Sequence, residues 1–190
     1  MGRRRFRCNY SDADTTRRFS CWTRRSFHDT GFVQAPATGL ADLFKNPSYA
    51  TIFKAFSPVR LFSAIDSDVT DTLFFVPGGA GVAAATRGFG VVFSDIDLPD
   101  GSDDPLPRQA NRHASTLIEF FAADGELLFS SFAPASPGDG NQTFFGIVLD
   151  DARIARVRIT VGAIPGPNDS RKRDVVMMDD FIYGEPQAIH

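Results

Sequence analysis

Aspartate is the residue type whose number and spacing in this sequence could do chemistry. The chain holds 20 aspartates against three glutamates, and short carboxylates in turns are good ligands for Ca²⁺, which takes about six to eight oxygen atoms. Asp95 and Asp97 share one face at the end of an apolar run, and Asp179 and Asp180 interrupt the last apolar run. The sequence therefore predicts a structural Ca²⁺ bound by Asp95, Asp97, Asp179 and Asp180.

The two aspartates of the last run need a partner, because burying an unpaired carboxylate is costly. Side chains alternate between the two faces of a strand, so Asp179 and Asp180 are expected on opposite faces, one of them toward the core. The face of Asp179 is then shared by Val175, Met177, Phe181 and Tyr183. Besides Ca²⁺, the candidate partners are four arginines: Arg87, Arg153, Arg156 and Arg158.

Catalytic residues are hard to assemble from this sequence. A serine or cysteine nucleophile needs a neighbouring base, and beyond residue 30 the histidines are His113, in a polar stretch, and His190, the last residue. A glycoside hydrolase needs only two carboxylates, but three glutamates leave few candidates for them. We therefore predict no catalytic residues, and a hydrolase is the least favoured function.

The charge divides the chain into a basic start and an acidic body. Residues 1–30 contain eight arginines against three aspartates, whereas residues 31–190 carry 12 basic and 20 acidic groups. The acidic body argues against DNA or RNA as a partner, because phosphate neutralisation supplies most nucleic-acid affinity. We predict that residues 1–30 are a disordered extension or the product of a start codon assigned too far upstream. They lack the apolar stretch of a signal peptide, and no run of the chain is long enough for a membrane helix.

The elements that must position the aspartates are short apolar runs separated by Gly, Pro, Asp and Ser, which is the pattern of an all-β protein. An Asp-Gly pair at Asp124 and Gly125 predicts a tight hairpin turn. Helical turns are predicted only at 41–44 and 48–55, and an extended loop at 97–114. Nine strands are predicted: 31–34, 60–65, 69–76, 88–96, 116–122, 126–132, 143–149, 154–162 and 175–183.

Five of these runs resemble a group of bacterial secreted jelly-roll domains found in proteins with a PEP-CTERM sorting tail. The runs are FSPVRLFSAIDSDVTDTLFFVPG, TRGFGVVFSDIDL, IEFFAADGELL, FFGIVLDDARIARVRITVG and VVMMDDFIYGEP. The resemblance implies a two-sheet antiparallel jelly-roll sandwich over 31–186, followed by a tail at 187–190. It also implies an extracellular or cell-surface location, a fold similar to carbohydrate-binding modules, and a calcium site near the last strand.

We therefore expect a non-catalytic, secreted or surface-associated module that binds an extracellular polysaccharide or a surface protein. A carbohydrate-binding module proper is the alternative. Such modules present flat aromatic platforms, best made from Trp and Tyr, and beyond residue 30 this chain has no Trp and only Tyr49 and Tyr183. The phenylalanines lie within apolar strand runs, where core packing is the expected role. The sequence predicts neither the ligand nor the oligomeric state.

Overall fold

The computed structural model describes residues 20–23, 31–57, 60–65, 67–78, 81–97, 116–136, 138–161 and 175–189. These ranges contain two short helices, α1 (Ala37–Phe44) and α2 (Tyr49–Ile52). Their strands are β1 (Ser20–Thr23), β2 (Gly31–Ala35), β3 (Leu61–Ile65), β4 (Val69–Phe75), β5 (Ala83–Ala85), β6 (Gly88–Ser94), β7 (Leu117–Phe121), β8 (Leu127–Phe132), β9 (Gln142–Val148), β10 (Arg156–Thr160), β11 (Met177–Tyr183) and β12 (Gln187–Ala188).

The strands form two antiparallel sheets. One sheet has five strands in the order β2-β3-β11-β6-β9, and the other has seven, in the order β12-β5-β4-β10-β7-β8 with β1 also paired to β4. The chain passes alternately between the two sheets. In chain order, β3, β6, β9 and β11 lie in the five-stranded sheet, and β4, β7, β8 and β10 lie in the other. Only the β7–β8 hairpin joins two of these strands within one sheet. This is the eight-strand arrangement of a jelly roll. The predicted fold class, an all-β antiparallel sandwich with one or two short helices, is confirmed.

All nine predicted strands are present, and α1 begins four residues before the predicted helical turn. The additional strands β1, β5 and β12 have four residues or fewer, too few for a clear alternating pattern. Most of the predicted loop at 97–114 lies outside the described residues. No helix in the described ranges is long and apolar enough to cross a membrane.

The five-stranded sheet is covered on both faces at the end where the helices lie. Its inner face packs against the seven-stranded sheet in a core that includes Phe93, Met178 and Phe120. Its outer face, turned away from that sheet, carries Leu61 and Met177, which pack in a second apolar cluster under α1 and α2. This double coverage accounts for the burial of β6 near the helices, as in strands that lie inside a layered protein. At the other end of β6, Gly90 is covered by the ring of Phe144.

Strand β1 lies inside the segment predicted as an extension and pairs with residues 70–73 of β4. The boundary at residue 31 nevertheless stays a prediction. We expect a protein that starts at Gly31 to melt within a few degrees of the full chain, because β1 adds one short ladder at a sheet edge. Thermal unfolding followed by circular dichroism measures this, and loss of cooperative unfolding would show that β1 is integral to the sandwich.

Candidate functional site

Strand β11 contains a β-bulge at its two aspartates. Asp179 pairs with Val92 of β6, whereas Ile182 pairs with Gly90, so three steps along β11 match two steps along β6. Asp180 supplies the extra residue and has a positive φ of 37°, a conformation that Asp tolerates better than most residues. A bulge bends the strand and redirects its side chains.

The bulge overturns the expected alternation of side chains along this strand. Met178 faces the inner core and Met177 the outer cluster, as alternation requires. Beyond the bulge, Phe181 and Tyr183 pack against the inner core, and the Phe181 ring contacts the ring of Phe62 at 5.4 Å between centroids. The prediction that Phe181 and Tyr183 share the face of Asp179 is therefore wrong, because the extra residue reverses the order of faces.

The buried carboxylate of Asp179 is bound by backbone N–H groups. Its Oδ2 accepts hydrogen bonds from the N–H groups of Phe56 at 2.7 Å and Ser57 at 3.2 Å, and its Oδ1 accepts one from the N–H of Asp180 at 2.8 Å. The Ser57 hydroxyl donates to Oδ1 of Asp180. The sequence correctly indicated that a carboxylate here needs a partner, and the structure identifies that partner as the chain segment after α2.

That segment, residues 53–57, crosses the outer face of the five-stranded sheet. The N–H of Lys54 donates to Oγ of Ser94 on β6 at 3.0 Å, and the side chain of Gln142 on β9 donates to the Lys54 carbonyl at 2.6 Å. With the bonds to Asp179 on β11, the segment is attached to three neighbouring strands. Asp179 therefore holds one end of the segment 53–57, which covers part of the outer face of the five-stranded sheet.

The four arginines considered as partners for these carboxylates have other contacts. Arg158 makes two hydrogen bonds of 2.8 Å to Asp71 on β4. The Arg156 guanidinium lies 4.0 Å from the centre of the Phe121 ring. Arg153 pairs with Asp151, and Nε of Arg87 donates to the Leu149 carbonyl.

The structure places the four predicted calcium ligands in two places. Asp179 and Asp180 lie at the bulge, whereas Asp95 follows the end of β6, three residues and hence about 10 Å from Val92, the partner of Asp179. Asp97 lies two residues farther along. In the part of the chain that the structure describes, no three His, Cys, Asp or Glu residues are grouped to share a metal ion. Calcium binding stays a prediction.

Burial raises the pKa of Asp179 above its ordinary value of 3.8, against the hydrogen bonds from Asp180 and Phe56, which lower it. The folded state therefore holds this proton more tightly than the unfolded state. The contribution of the Asp179 carboxyl to stability is fully present below pH 3.8 and is lost as pH rises through the folded-state pKa. We expect the free energy of unfolding, relative to that of an Asp179→Asn variant, to decline between pH 3.8 and the folded-state pKa and to stay level at higher pH. Urea unfolding of both proteins from below pH 3.8 to neutrality measures it, and parallel profiles would contradict it.

The other half of the outer face is open and apolar. Phe144 and Val148 on β9 and Ile182 on β11 are 54%, 78% and 56% exposed. Beneath them lie Gly90 and Gly146, which are directly paired. We call these five residues the Phe144 platform.

The two glycines allow the Phe144 ring to lie down on the sheet. A Cβ at Gly90 would stand 2.4 Å from Cζ of Phe144, and a Cβ at Gly146 would stand 3.0 Å from the same atom. The expectation that the phenylalanines pack in the core is wrong for Phe144, which is 54% exposed. A glycine inside a strand often marks a close approach by another group, and the glycines of β6 and β9 carried that signal.

No protein-family model matches the chain, and no curated protein matches it. A solved structure, the enzymatically active domain of bacteriophage CBA120 tailspike protein 4, is similar to 87% of the chain at 10% identity, with a TM-score of 0.34. The chain spans about a fifth (19%) of the length of that structure. A likeness of this strength carries no argument about function.

Proposed function

We propose that this protein is a non-catalytic binding module that acts outside the cell or at its surface and holds its ligand on the Phe144 platform. The observation that carries the proposal is the Phe144 ring, which is more than half exposed although it belongs to a regular strand of the sandwich. The resemblance of the chain's five sequence runs to secreted jelly-roll domains supports the location outside the cell or at its surface.

The platform has the properties of a recognition surface. Scattered single apolar residues are normal on proteins, but neighbouring ones indicate an interaction site. Here an aromatic ring and two aliphatic side chains occupy adjoining positions on paired strands, since Ile182 pairs with Gly90 and Gly90 pairs with Gly146. The surface is flat because the Phe144 ring lies over two glycines, which have no side chains to raise it. A flat apolar partner can therefore lie against it.

The carboxylates beside the platform support binding rather than hydrolysis. A glycoside hydrolase needs two carboxylates that both reach the scissile bond. Asp179 is 7% exposed and its oxygens accept three N–H hydrogen bonds, so its interactions are structural. Asp180 accepts the Ser57 hydroxyl and lies between Asp179 and the platform, where it can border a bound ligand.

A carbohydrate-binding module is the second candidate, and the same ring favours it. The face of a pyranose ring is apolar and flat, and stacking on an aromatic side chain is a common way to bind it. Only one aromatic residue lies on the platform itself, so we expect weak binding to one sugar unit unless the ligand is a repeating polymer.

Sedimentation with isolated bacterial cell walls tests both candidates. We expect the protein to sediment with the walls, and Phe144→Ala to weaken this binding by about tenfold or more, equivalent to about 1.4 kcal/mol. The matched control is Phe129→Ala, which removes a phenylalanine 43% exposed on β8 of the other sheet.

Treating the walls with protease separates the ligand classes. Binding that survives this treatment, and that purified wall polysaccharide competes away, identifies a carbohydrate ligand, whereas binding that is lost identifies a surface protein. Equal binding of the parent and Phe144→Ala would contradict the role of the platform. A parent protein that binds neither walls nor polysaccharide would contradict the proposed function.

A further inference from the structure

Strand β9 is the last strand of the five-stranded sheet, and in the described ranges no strand pairs with its outer edge. The N–H of Leu149 donates to the backbone carbonyl of Arg87, and the carbonyl of Asn141 accepts from the backbone N–H of Asp95. The odd-numbered residues of β9 therefore bond toward β6. In an antiparallel ladder, alternate residues bond to the same neighbour. The backbone groups of the even-numbered residues therefore point away from β6: Gln142, Phe144, Gly146 and Val148.

Within its seven residues, the β9 edge lacks the charged side chains, proline and bulges that prevent strands from pairing. Proteins protect an edge with charged side chains, proline, bulges or very short strands. Strand β9 has seven residues without charge or proline, and it pairs with β6 at all seven positions without a register shift. The edge strand of the other sheet, β8, has a register shift against β7, and β12 has only two residues.

We propose that β9 is a homodimer interface at which a second copy of this chain adds its own β9 in antiparallel orientation. A two-fold axis at Phe145 places Phe144 opposite Gly146 of the second copy and Gln142 opposite its Val148. Each of these pairs consists of even-numbered residues, so every outward N–H and C=O of both strands gains a partner.

The side chains also suit this pairing. Phe144 meets a glycine across the interface, as it already does within its own sheet at Gly90, and no like charges face each other. An identical edge on both partners gives a closed two-fold assembly, which is the commonest form of oligomer. The two Phe144 rings then lie diagonally across the axis on one continuous outer face. This inference goes beyond the proposed function, because a monomer could also hold a ligand on one platform.

Sedimentation velocity over a range of protein concentrations, with the parent protein, tests the proposal. We expect a species of twice the mass of one chain, and we expect Val148→Pro to abolish it. Proline at this position removes an N–H that points outward and leaves the β6 ladder intact. Val148→Lys places a charge at the same edge and should also abolish the dimer. Leu127→Lys, which introduces lysine at an exposed position on β8, should keep it.

Hydrogen exchange of the parent protein tests the interface without any substitution. In the dimer, the amides of Phe144, Gly146 and Val148 should exchange slowly, and dilution to monomer should speed their exchange by at least tenfold. The amides of Phe145 and Ile147 bond to β6 and should not respond to dilution. A parent that is monomeric at all concentrations would overturn the proposal, as would a dimer that persists in both Val148 variants.

Discussion

Asp179→Ala is expected to lower the free energy of unfolding by about 3 kcal/mol. The substitution leaves the N–H groups of Phe56, Ser57 and Asp180 without the acceptor that they share in the folded state. Each buried N–H that loses its partner costs about 1–3 kcal/mol, and the lower end applies here because Phe56 is 64% exposed and Ser57 is half-buried. The loss should also release the segment 53–57 from β11.

Urea unfolding of the parent and the variant measures this change at neutral pH. The matched control is Ser57→Ala, which removes the hydroxyl that donates to Asp180 but keeps the Ser57 N–H that bonds to Asp179, and it should cost about 1 kcal/mol. Faster hydrogen exchange at Phe56 and Ser57 in Asp179→Ala would locate the loss in the segment. Equal effects of the two substitutions would show that Asp179 does not fasten it.

Thermal melts of the parent and Asp179→Ala test the calcium prediction. An ion that binds only the folded state raises stability by mass action. Calcium binding therefore requires a melting temperature that is higher in millimolar Ca²⁺ than in EDTA. That difference should disappear in Asp179→Ala if Asp179 is a ligand. A parent melting temperature that is the same in both solutions would contradict the prediction.

The strands could be predicted because each one carries its signal within a few consecutive residues. Strand β10 shows it most clearly: Val157 and Ile159 are buried, and they alternate with Arg156 and Arg158, which lie on the more exposed face. The hairpin of β7 and β8 was predicted from Asp124 and Gly125, and Gly125 does have the positive φ of 94° that such a turn requires. Local patterns of this kind need no knowledge of the rest of the chain.

The bulge in β11 could not be predicted from the same kind of pattern. Both faces of this strand are covered near its start, so Met177 and Met178 are equally buried, and apolar residues do not alternate with polar ones. Without alternation, the sequence gives no sign of the extra residue at Asp180. The partner of Asp179 was hidden for another reason: it consists of backbone N–H groups 122 and 123 positions away, and a backbone group has no residue type to recognise.

The platform depends on a pairing that is also invisible locally. Gly90 and Gly146 are far apart in sequence and become neighbours only when β6 pairs with β9. Phe144 and Phe145, which precede Gly146, were therefore both expected in the core. This is correct for Phe145 and wrong for Phe144. The two adjacent phenylalanines point to opposite faces of one strand, and only the register decides which face is open.

Gly146→Ala is expected to destabilise the protein by about 1–3 kcal/mol, the usual cost of forcing atoms into a packed region. Its Cβ would stand 2.9 Å from Cα of Gly90 and 3.0 Å from the carbonyl oxygen of Phe89. Both contacts are backbone atoms of β6, which cannot rotate away. Strands β6 and β9 would have to separate locally, and the ladder between them would weaken.

Gly90→Ala is the matched control because its contacts are of another kind. The new Cβ would meet the end of the Phe144 ring, at 2.4 and 2.7 Å, and a backbone atom only at 3.3 Å. The half-exposed ring can turn off the sheet, so stability should change by less than about 1 kcal/mol while wall binding falls as in Phe144→Ala. Urea unfolding and sedimentation with cell walls together distinguish the two glycines. If Gly90→Ala proved the more destabilising, or if it bound walls as the parent does, the Phe144 ring would not rest on these glycines as described.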